Sequence, residues 1–341
     1  MRQQGPDDNT VRSVIGLAGR APSIHNSQPW RWVAGDNSLH LFADRSRHLR
    51  ATDPEGRDLL MSCGAALHHL RVGFAAAGWD TTVHRLPDPA HPDHLAAVEF
   101  TSRNPTAEDI ALSSAIAHRR TDRRRFTSWP VPEGLIDLVA ERAAEQGAVA
   151  AAATDPIDKF HLEAVIADAA RQQDADPEYR SEVAAWAGRG SAAEDGVPAA
   201  NIPRTTVPHG DTTMRAFPDG VLTQEREGWE DDAGALLVLA TAADDRVSRL
   251  RAGEAMSAVL LAATAIGLAT CPLSQPLEIG ATREHLRTKV LGGGVFPQMV
   301  LRIGWAPTDQ EQVPLTPRRA VDDVLAVTAA GGDGQAHPWT G

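Results

Sequence analysis

Apolar residues recur at helical spacing over residues 11–20, where a short helix is expected. A loop dense in polar residues and proline follows. Two apolar runs, 30–33 and 39–42, then read as a β-hairpin turned by Gly35, Asp36 and Asn37. Asp53 and Pro54 have N-cap and first-turn chemistry. The helix they open is expected to run to Ala77, burying Leu59, Leu60, Cys63, Leu67, Leu70 and Phe74, and to stop at Gly78. His69, beside His68 on that helix, is expected to face solvent. Strands are expected at 81–86 and 95–100.

A second unit opens at a capping box, Thr106 with Asp109, and its first helix ends in His118-Arg119-Arg120, where cations suit the helix dipole. Helices are expected at 135–146 and 158–172, with a strand at 148–153. Residues 188–228 hold many Gly, Pro, Asp and Thr without a lasting period. So long a stretch without its own secondary structure is disordered or a functional cover. Trp186 stands at its root and Phe217 within it. A strand at 235–240 precedes a helix at 253–269 that is apolar around most of its surface and therefore central. A strand at 297–303 closes the fold, and the first nine residues and 329–341 are expected to be loose.

The two units are related. Gly64, Gly78, Thr81 and Pro87 fall on Gly253, Gly267, Thr270 and Pro276 at one offset of 189 residues without a gap. Each stretch then runs into a final strand. The fold class is α+β, with helices around mixed or antiparallel sheets. The halves are expected at 1–104 and 105–328, the second carrying a lid-like insertion at about 188–228, with 329–341 as a flexible tail.

Composition narrows the chemistry. A net charge of −12 makes a nucleic-acid backbone an unsuitable partner and makes any basic cluster more informative. Two cysteines, Cys63 and Cys271, form neither a disulfide framework nor a zinc set, so a reducing cytoplasm is expected. The opening residues carry no apolar signal region, and the longest apolar run, 255–269, is shorter than the roughly 20 residues a bilayer needs, so no membrane association is expected. His91 and His94 with Asp93 lack a third strong ligand nearby, so no metal is assigned. G-x-G-x-x-G, Walker, G-x-S-x-G and H-E-x-x-H motifs are absent.

Two constellations remain. The loop Ala21-Pro22-Ser23-Ile24-His25-Asn26-Ser27-Gln28-Pro29-Trp30-Arg31-Trp32 combines two prolines, the polar side chains of Ser23, Asn26 and Gln28 and two broad indoles. It suits a planar heterocycle that hydrogen-bonds along its edge, or it is a proline-rich turn capped by its own Asn. His118-Arg119-Arg120-Thr121-Asp122-Arg123-Arg124-Arg125-Phe126 gathers guanidinium groups at a helix end, a phosphate grip or a solvated basic face.

The pattern A-P-S-x-x-N-x-Q-P-W resembles the flavin-ring loop of the nitroreductase family, flavin mononucleotide (FMN)-dependent NAD(P)H oxidoreductases, and its full form most resembles the actinobacterial Acg-type branch. R-R-T-x-R followed by Phe resembles the family's phosphate motif R-R-S-x-R-x-F, with Phe126 one residue late. Gly267 to Gln275 resembles the family's turn beside the flavin, with Ser274 and Gln275 in place of Glu-Gly, and Thr316-Pro317-Arg318-Arg319 resembles its terminal basic pair. The resemblance implies FMN contacts from Ser23, Asn26, Gln28, Pro29, Trp30, Arg31 and Trp32, from Arg119, Arg120, Thr121 and Arg123, from Pro272, Leu273, Ser274 and Gln275, and from Arg318. No side chain is assigned as a catalytic acid or base, because flavin performs such chemistry itself.

The family normally forms homodimers with flavin at the interface, and two divergent copies in one chain would make a pseudo-dimer, with a monomer plausible. The first half has the ring loop and no R-R-S-x-R before it. The second has R-R-T-x-R, but residues 146–154 offer little beyond alanines and a valine where a ring loop would fall. One composite site and one FMN per chain follow. Three functions stay open: an NAD(P)H-dependent oxidoreductase reducing an unidentified nitroaromatic or quinone-like acceptor, an FMN-sequestering or storage protein with a closed lid, and a small-molecule sensor without flavin.

Overall fold

A computed structural model describes residues 5–35, 37–190, 192–204, 212–223, 232–308 and 310–327. The tail expected at 329–341, residues 1–4 of the N-terminal stretch, Asp36 of the expected hairpin turn, and 191, 205–211 and 224–228 of the expected cover lie outside the described residues.

Two long helices make the centre, α2 (Arg57–Ala76) and α7 (Arg246–Ala265). Most of α2 is buried, including all six residues of the expected stripe. α1 (Asp8–Ala18) and α3 (Ala107–His118) pack on α2, and α3 and α4 (Glu133–Ala144) pack on α7. Local chemistry sets the helix starts. Asp7 accepts the Thr10 N–H at 2.7 Å, Thr106 and Asp109 form the full capping box, and Asp245 accepts the Ser248 N–H at 2.8 Å.

The first sheet contains β1 (Trp30–Ala34), β2 (Ser38–Ala43), β3 (Trp79–Arg85) and β4 (His94–Ser102). The second contains β5 (Val149–Ala152), β8 (Ala235–Thr241), β9 (Ala269–Leu273) and β10 (Phe296–Gly304). Between β5 and β8 lie α5 (Pro156–Ala175), α6 (Pro177–Trp186) and the short strands β6 (Ala187–Arg189) and β7 (Val197–Pro198). α8 (Gln275–Glu278) and α9 (Gly280–Lys289) separate β9 from β10, and α10 (Val321–Val324) leads into β11 (Leu325–Val327).

The sheets have the same plan. The orders are β1-β2-β4-β3 and β5-β8-β10-β9, all antiparallel, with the strand after each central helix at an edge. β11 extends the first sheet, parallel to β1, so the C-terminal strand joins the N-terminal sheet. The helix crossing is reciprocal. A Cβ on Gly64 would overlap the Leu250 carbonyl, and a Cβ on Gly253 would overlap that of Met61. The offset of 189 relates Gly64 to Gly253 and Met61 to Leu250, and His68 Nδ1 meets Ser257 Oγ at 2.9 Å across that same separation. A contact in which i meets j and j's equivalent meets i's is the rule of an isologous two-fold interface.

Several expectations are corrected. α2 begins at Arg57, because Gly56 takes a left-handed φ of 66° and Asp53 to Gly56 make a turn. Asp53 still caps the helix, accepting the N–H of Arg57 at 2.7 Å and of Leu59 at 2.8 Å. α7 starts at Arg246 rather than 253 and stops at Ala265. Residues 269–273, expected within a turn, form β9. His69 is fully buried, with Nδ1 3.4 Å from the Leu17 carbonyl. The strand expected to close the fold, β10, lies inside its sheet. The 188–228 stretch has structure of its own, a parallel β6-β7 pair and a Pro203–Leu222 bridge.

Candidate functional site

The loop between α1 and β1 is held in an uncommon shape. His25, Asn26 and Gln28 have φ of 46°, 56° and 51°. Left-handed backbone at non-glycine residues costs about 1–3 kcal/mol each and collects where surrounding contacts enforce it. Those contacts are present. Ser23 Oγ accepts the Gln28 N–H at 3.0 Å, and Ser62 Oγ of α2 accepts the Ile24 N–H at 3.1 Å.

Two adjoining cavities open beside this loop and share Pro22, Ser23, Thr121 and Arg123. The larger, about 730 Å³, is walled by the loop, the first turns of α2, β9 with Ser274 and Gln275, and Met214, Arg215 and Phe217 from the 188–228 stretch. Of the chain's five methionines, all but Met1 line it. Thioether walls are apolar, polarisable and adaptable. The smaller cavity, about 420 Å³, is lined by Asn26, Arg119, Arg120, Asn201, Thr316 and Arg318, among others.

The smaller cavity is a cation cluster. Arg20, Arg119, Arg120 and Arg318 have no carboxylate partner among the described residues, and their bonds run to backbone carbonyls and to Thr316 Oγ1. Nε of each is buried without an acceptor, as is Nη1 of Arg119. Burial, then the neighbouring guanidiniums, pulls Arg119 down to about 10 and Arg318 down to about 9. Gathering like charges this way is unfavourable unless an anion joins them.

The larger cavity has a different polar inventory. Arg215 is paired to Glu278 and to the Tyr179 hydroxyl, and it reaches Ser274 Oγ at 3.2 Å. Arg123 lies 5.0 Å over the Phe217 ring, which meets the His25 ring edge-on at 5.4 Å. Burial, then Arg215 and Arg123, holds the His25 imidazole well below its ordinary value, so it is neutral. Burial pushes the Cys271 thiol up, so this wall residue is not a thiolate.

The sequence-predicted residues divide. Ser23, Asn26, Arg119, Arg120, Thr121, Arg123, Pro272, Leu273, Ser274, Gln275 and Arg318 all line one or both cavities. Gln28, Pro29, Trp30, Arg31 and Trp32 line neither. Trp30 and Trp32 are fully buried in the core, Arg31 pairs with Asp44 at 2.9 Å, and the Pro29 carbonyl accepts from Cys63 Sγ at 3.1 Å. Gln28 is buried as a clamp. Its Nε2 donates to the Glu194 carbonyl at 2.9 Å and its Oε1 accepts the Arg319 N–H at 2.9 Å. Asn26 Nδ2 likewise donates to the carbonyls of Gly196 at 3.0 Å and Pro317 at 3.1 Å.

Sequence reasoning missed Arg20, His25, Asp58 and Arg215. Arg20 had a signal, a cation at the end of α1 next to the loop. Asp58 and Arg215 had none, because long-range packing alone brings them to the cavity.

A family model described as the nitroreductase family matches residues 116–305. A Mycobacterium tuberculosis protein named as a candidate NAD(P)H nitroreductase is 47% identical over 327 residues, covering 95% of this chain and 93% of that one. The M. tuberculosis protein Acg, named in the same way, is 38% identical over 336 residues, covering 94% and 96%. Among solved structures, an FMN-dependent nitroreductase from Mycobacterium smegmatis in complex with NADPH is 18% identical, covering 64% of this chain and 99% of that one at a TM-score of 0.41.

Proposed function

The chain belongs to the nitroreductase family, and from that premise we propose that it is an FMN-binding, NAD(P)H-dependent oxidoreductase that reduces a nitroaromatic or quinone-like acceptor. One observation carries the reading: a carboxylate-free arginine cluster opens directly into an apolar, methionine-walled slot. That combination fits a ligand with a phosphate at one end and a flat ring at the other. The orphaned guanidinium atoms of Arg119, Arg120, Arg318 and Arg20 match the phosphate, since Arg offers a fork of donors. Pro22, Ser23, Pro272 and Leu273 would flank the ring.

Bound FMN would supply the redox chemistry, taking up hydride and passing electrons on. The chain's own residues bind, orient and exclude water. Arg123, stacked on Phe217, joins the two cavities and keeps a positive charge between them. The repeat plan of the sheets and the reciprocal helix crossing support two divergent halves, 1–104 and 105–328, with one composite site, so we expect one FMN per chain and a chain competent as a monomer. No described helix is long and apolar enough to cross a membrane, and the two cysteines are unpaired, which fits our expectation of a cytoplasmic protein.

The test is stopped-flow mixing of the FMN-loaded protein with NADH or NADPH. Bleaching followed by reoxidation with a nitroaromatic is the expected result. A second reading, FMN sequestration, is favoured by the closed cover. Glu194 and Gly196 carbonyls occupy the amides of Gln28 and Asn26, and Arg47 grips Asp195. Flavin reduced by dithionite but untouched by either nicotinamide would establish that reading instead.

A further inference from the structure

Asp58 is a buried acid without a partner. It stands in the first turn of α2, is 5% exposed and lines the larger cavity beside Met61 and Ser62. Its carboxyl makes no hydrogen bond or ion pair among the described residues, while its backbone carbonyl accepts from Ser62 Oγ at 2.6 Å. The nearby cations are committed elsewhere. Arg57 holds Asp244 at 2.6 Å and Gln298 at 2.8 Å, and Arg215 holds Glu278. The adjacent acids, Asp53 and Glu278, oppose a third negative charge, and Asp53 has already taken the free N–H groups of the helix start. A carboxyl so enclosed is favoured as the neutral acid, whose O–H points at nothing in the protein. His25, which also lines the cavity, has a neutral ring whose buried Nε2 meets no partner among the described residues.

We propose that Asp58 is the hydrogen-bond donor of the cavity, giving its O–H to a carbonyl or nitro oxygen on the flat, uncharged ring that fills it. That ring belongs either to the cofactor or to the electron acceptor. The inference rests on the binding reading above for its site, and the test separates the two.

Asp58→Asn keeps a donor of the same shape, and Asp58→Ala removes it. FMN uptake by the apoprotein, and menadione binding to the FMN-loaded protein, are measured by flavin fluorescence quenching for wild type and both variants. The expected result is about a tenfold loss in Asp58→Ala, as for one buried hydrogen bond, with Asp58→Asn within about threefold of wild type. Loss in FMN uptake assigns the ring to the cofactor, and loss confined to menadione assigns it to the acceptor. Unchanged affinity for both probes in Asp58→Ala overturns the proposal, as does Asp58→Asn behaving like Asp58→Ala. Wild-type apoprotein that takes up no FMN defeats the flavoprotein reading alone, and the proposal is then read on menadione binding to the apoprotein by quenching of tryptophan fluorescence. A second readout needs no ligand. Thermal stability of wild type should fall as pH rises above about 4, where an unfolded Asp loses its proton but Asp58 keeps it. Asp58→Asn should remove part of that slope, and an unchanged slope counts against the neutral acid. The groups facing Asp58 in that titration are Asp53, Glu278, Arg57 and Arg215.

Discussion

The candidate site and the region 189 residues away share one arrangement of strands and helices and are filled in opposite ways. At the site, the small Ser62 and Ser274 line open space between α2, α7 and β9, and Ala65 follows on α2. Their counterparts at the offset are Arg251, Arg85 and Glu254. Glu254 is fully buried and holds Arg85 at 2.7 and 2.8 Å and Arg71 at 2.8 Å, while Arg71 also reaches Gln146 at 2.7 Å. Arg251 packs against Gly147, where a ring loop would have been. The counterpart has thus filled its own cavity with mutually neutralising charges. The site has kept a cavity, and Arg20, Arg119, Arg120 and Arg318 beside it meet no carboxylate among the described residues. The difference teaches that an anion-binding site shows itself less by how many arginines it has than by what they fail to meet.

Breaking the plug gives the largest effect. Glu254→Ala leaves two arginines facing a buried void and should cost about 3–5 kcal/mol in chemical denaturation. FMN content per folded molecule should not change, because Glu254, Arg71 and Arg85 line neither cavity. Breaking the cluster comes next. Arg119→Ala or Arg318→Ala removes charge-assisted donors worth about 1.5–3 kcal/mol, so the Kd for FMN should rise roughly tenfold to 150-fold by fluorescence titration. The same variants should melt above wild type without FMN, since each removes a guanidinium that is lowered first by burial and then by repulsion from its charged neighbours. That repulsion is complete at neutral pH and fades only as pH rises past about 9, where Arg318 begins to lose its proton.

Gly64→Ala tests the shared centre and should destabilise by about 1–3 kcal/mol, because its Cβ meets backbone at Leu250 rather than a movable side chain. A smaller effect attaches to Asp53, which burial raises to about 6. An acid raised in the fold favours folding at low pH, so the contribution of Asp53 to stability should decline from about pH 4 to about pH 6, and Asp53→Asn should lessen the wild-type slope across that interval. The smallest expected change in stability is Asp195→Ala, about 0–1 kcal/mol for a partly exposed pair with Arg47. It should nevertheless speed FMN exchange, measured by competition with unlabelled cofactor, because Asp195 tethers the cover to the ring loop.

Local chemistry made much of this legible. The caps at Thr106 and Asp53, the apolar stripe of α2 and the two motif loops each carry their signal within a few residues. The gap-free offset of 189 anticipated the reciprocal crossing of α2 and α7 because both helices need glycine at the same point of contact. What stayed hidden depends on distant partners. Trp30 and Trp32 read as ring faces, yet alternation in β1 turns both into the core, where each is fully buried. Gln28 read as a ligand contact, yet it is satisfied by Glu194 and Arg319, far away in sequence. Asp58 carries no signal in the sequence, because burial and the lack of a carboxyl partner among the described residues arise only from packing. β11 could not be foreseen as part of the first sheet, since three residues near the C-terminus carry no mark of which edge they will join.

The central claim is that one anion-bearing flavin occupies the composite site and that its counterpart is closed. Absorbance titration of the apoprotein with FMN, read against protein concentration for wild type and for Arg119→Ala with Arg318→Ala, measures this directly. The account predicts one equivalent bound by wild type and none taken up by the double variant at the same concentrations. Two equivalents in wild type, or undiminished uptake in the double variant, would contradict it.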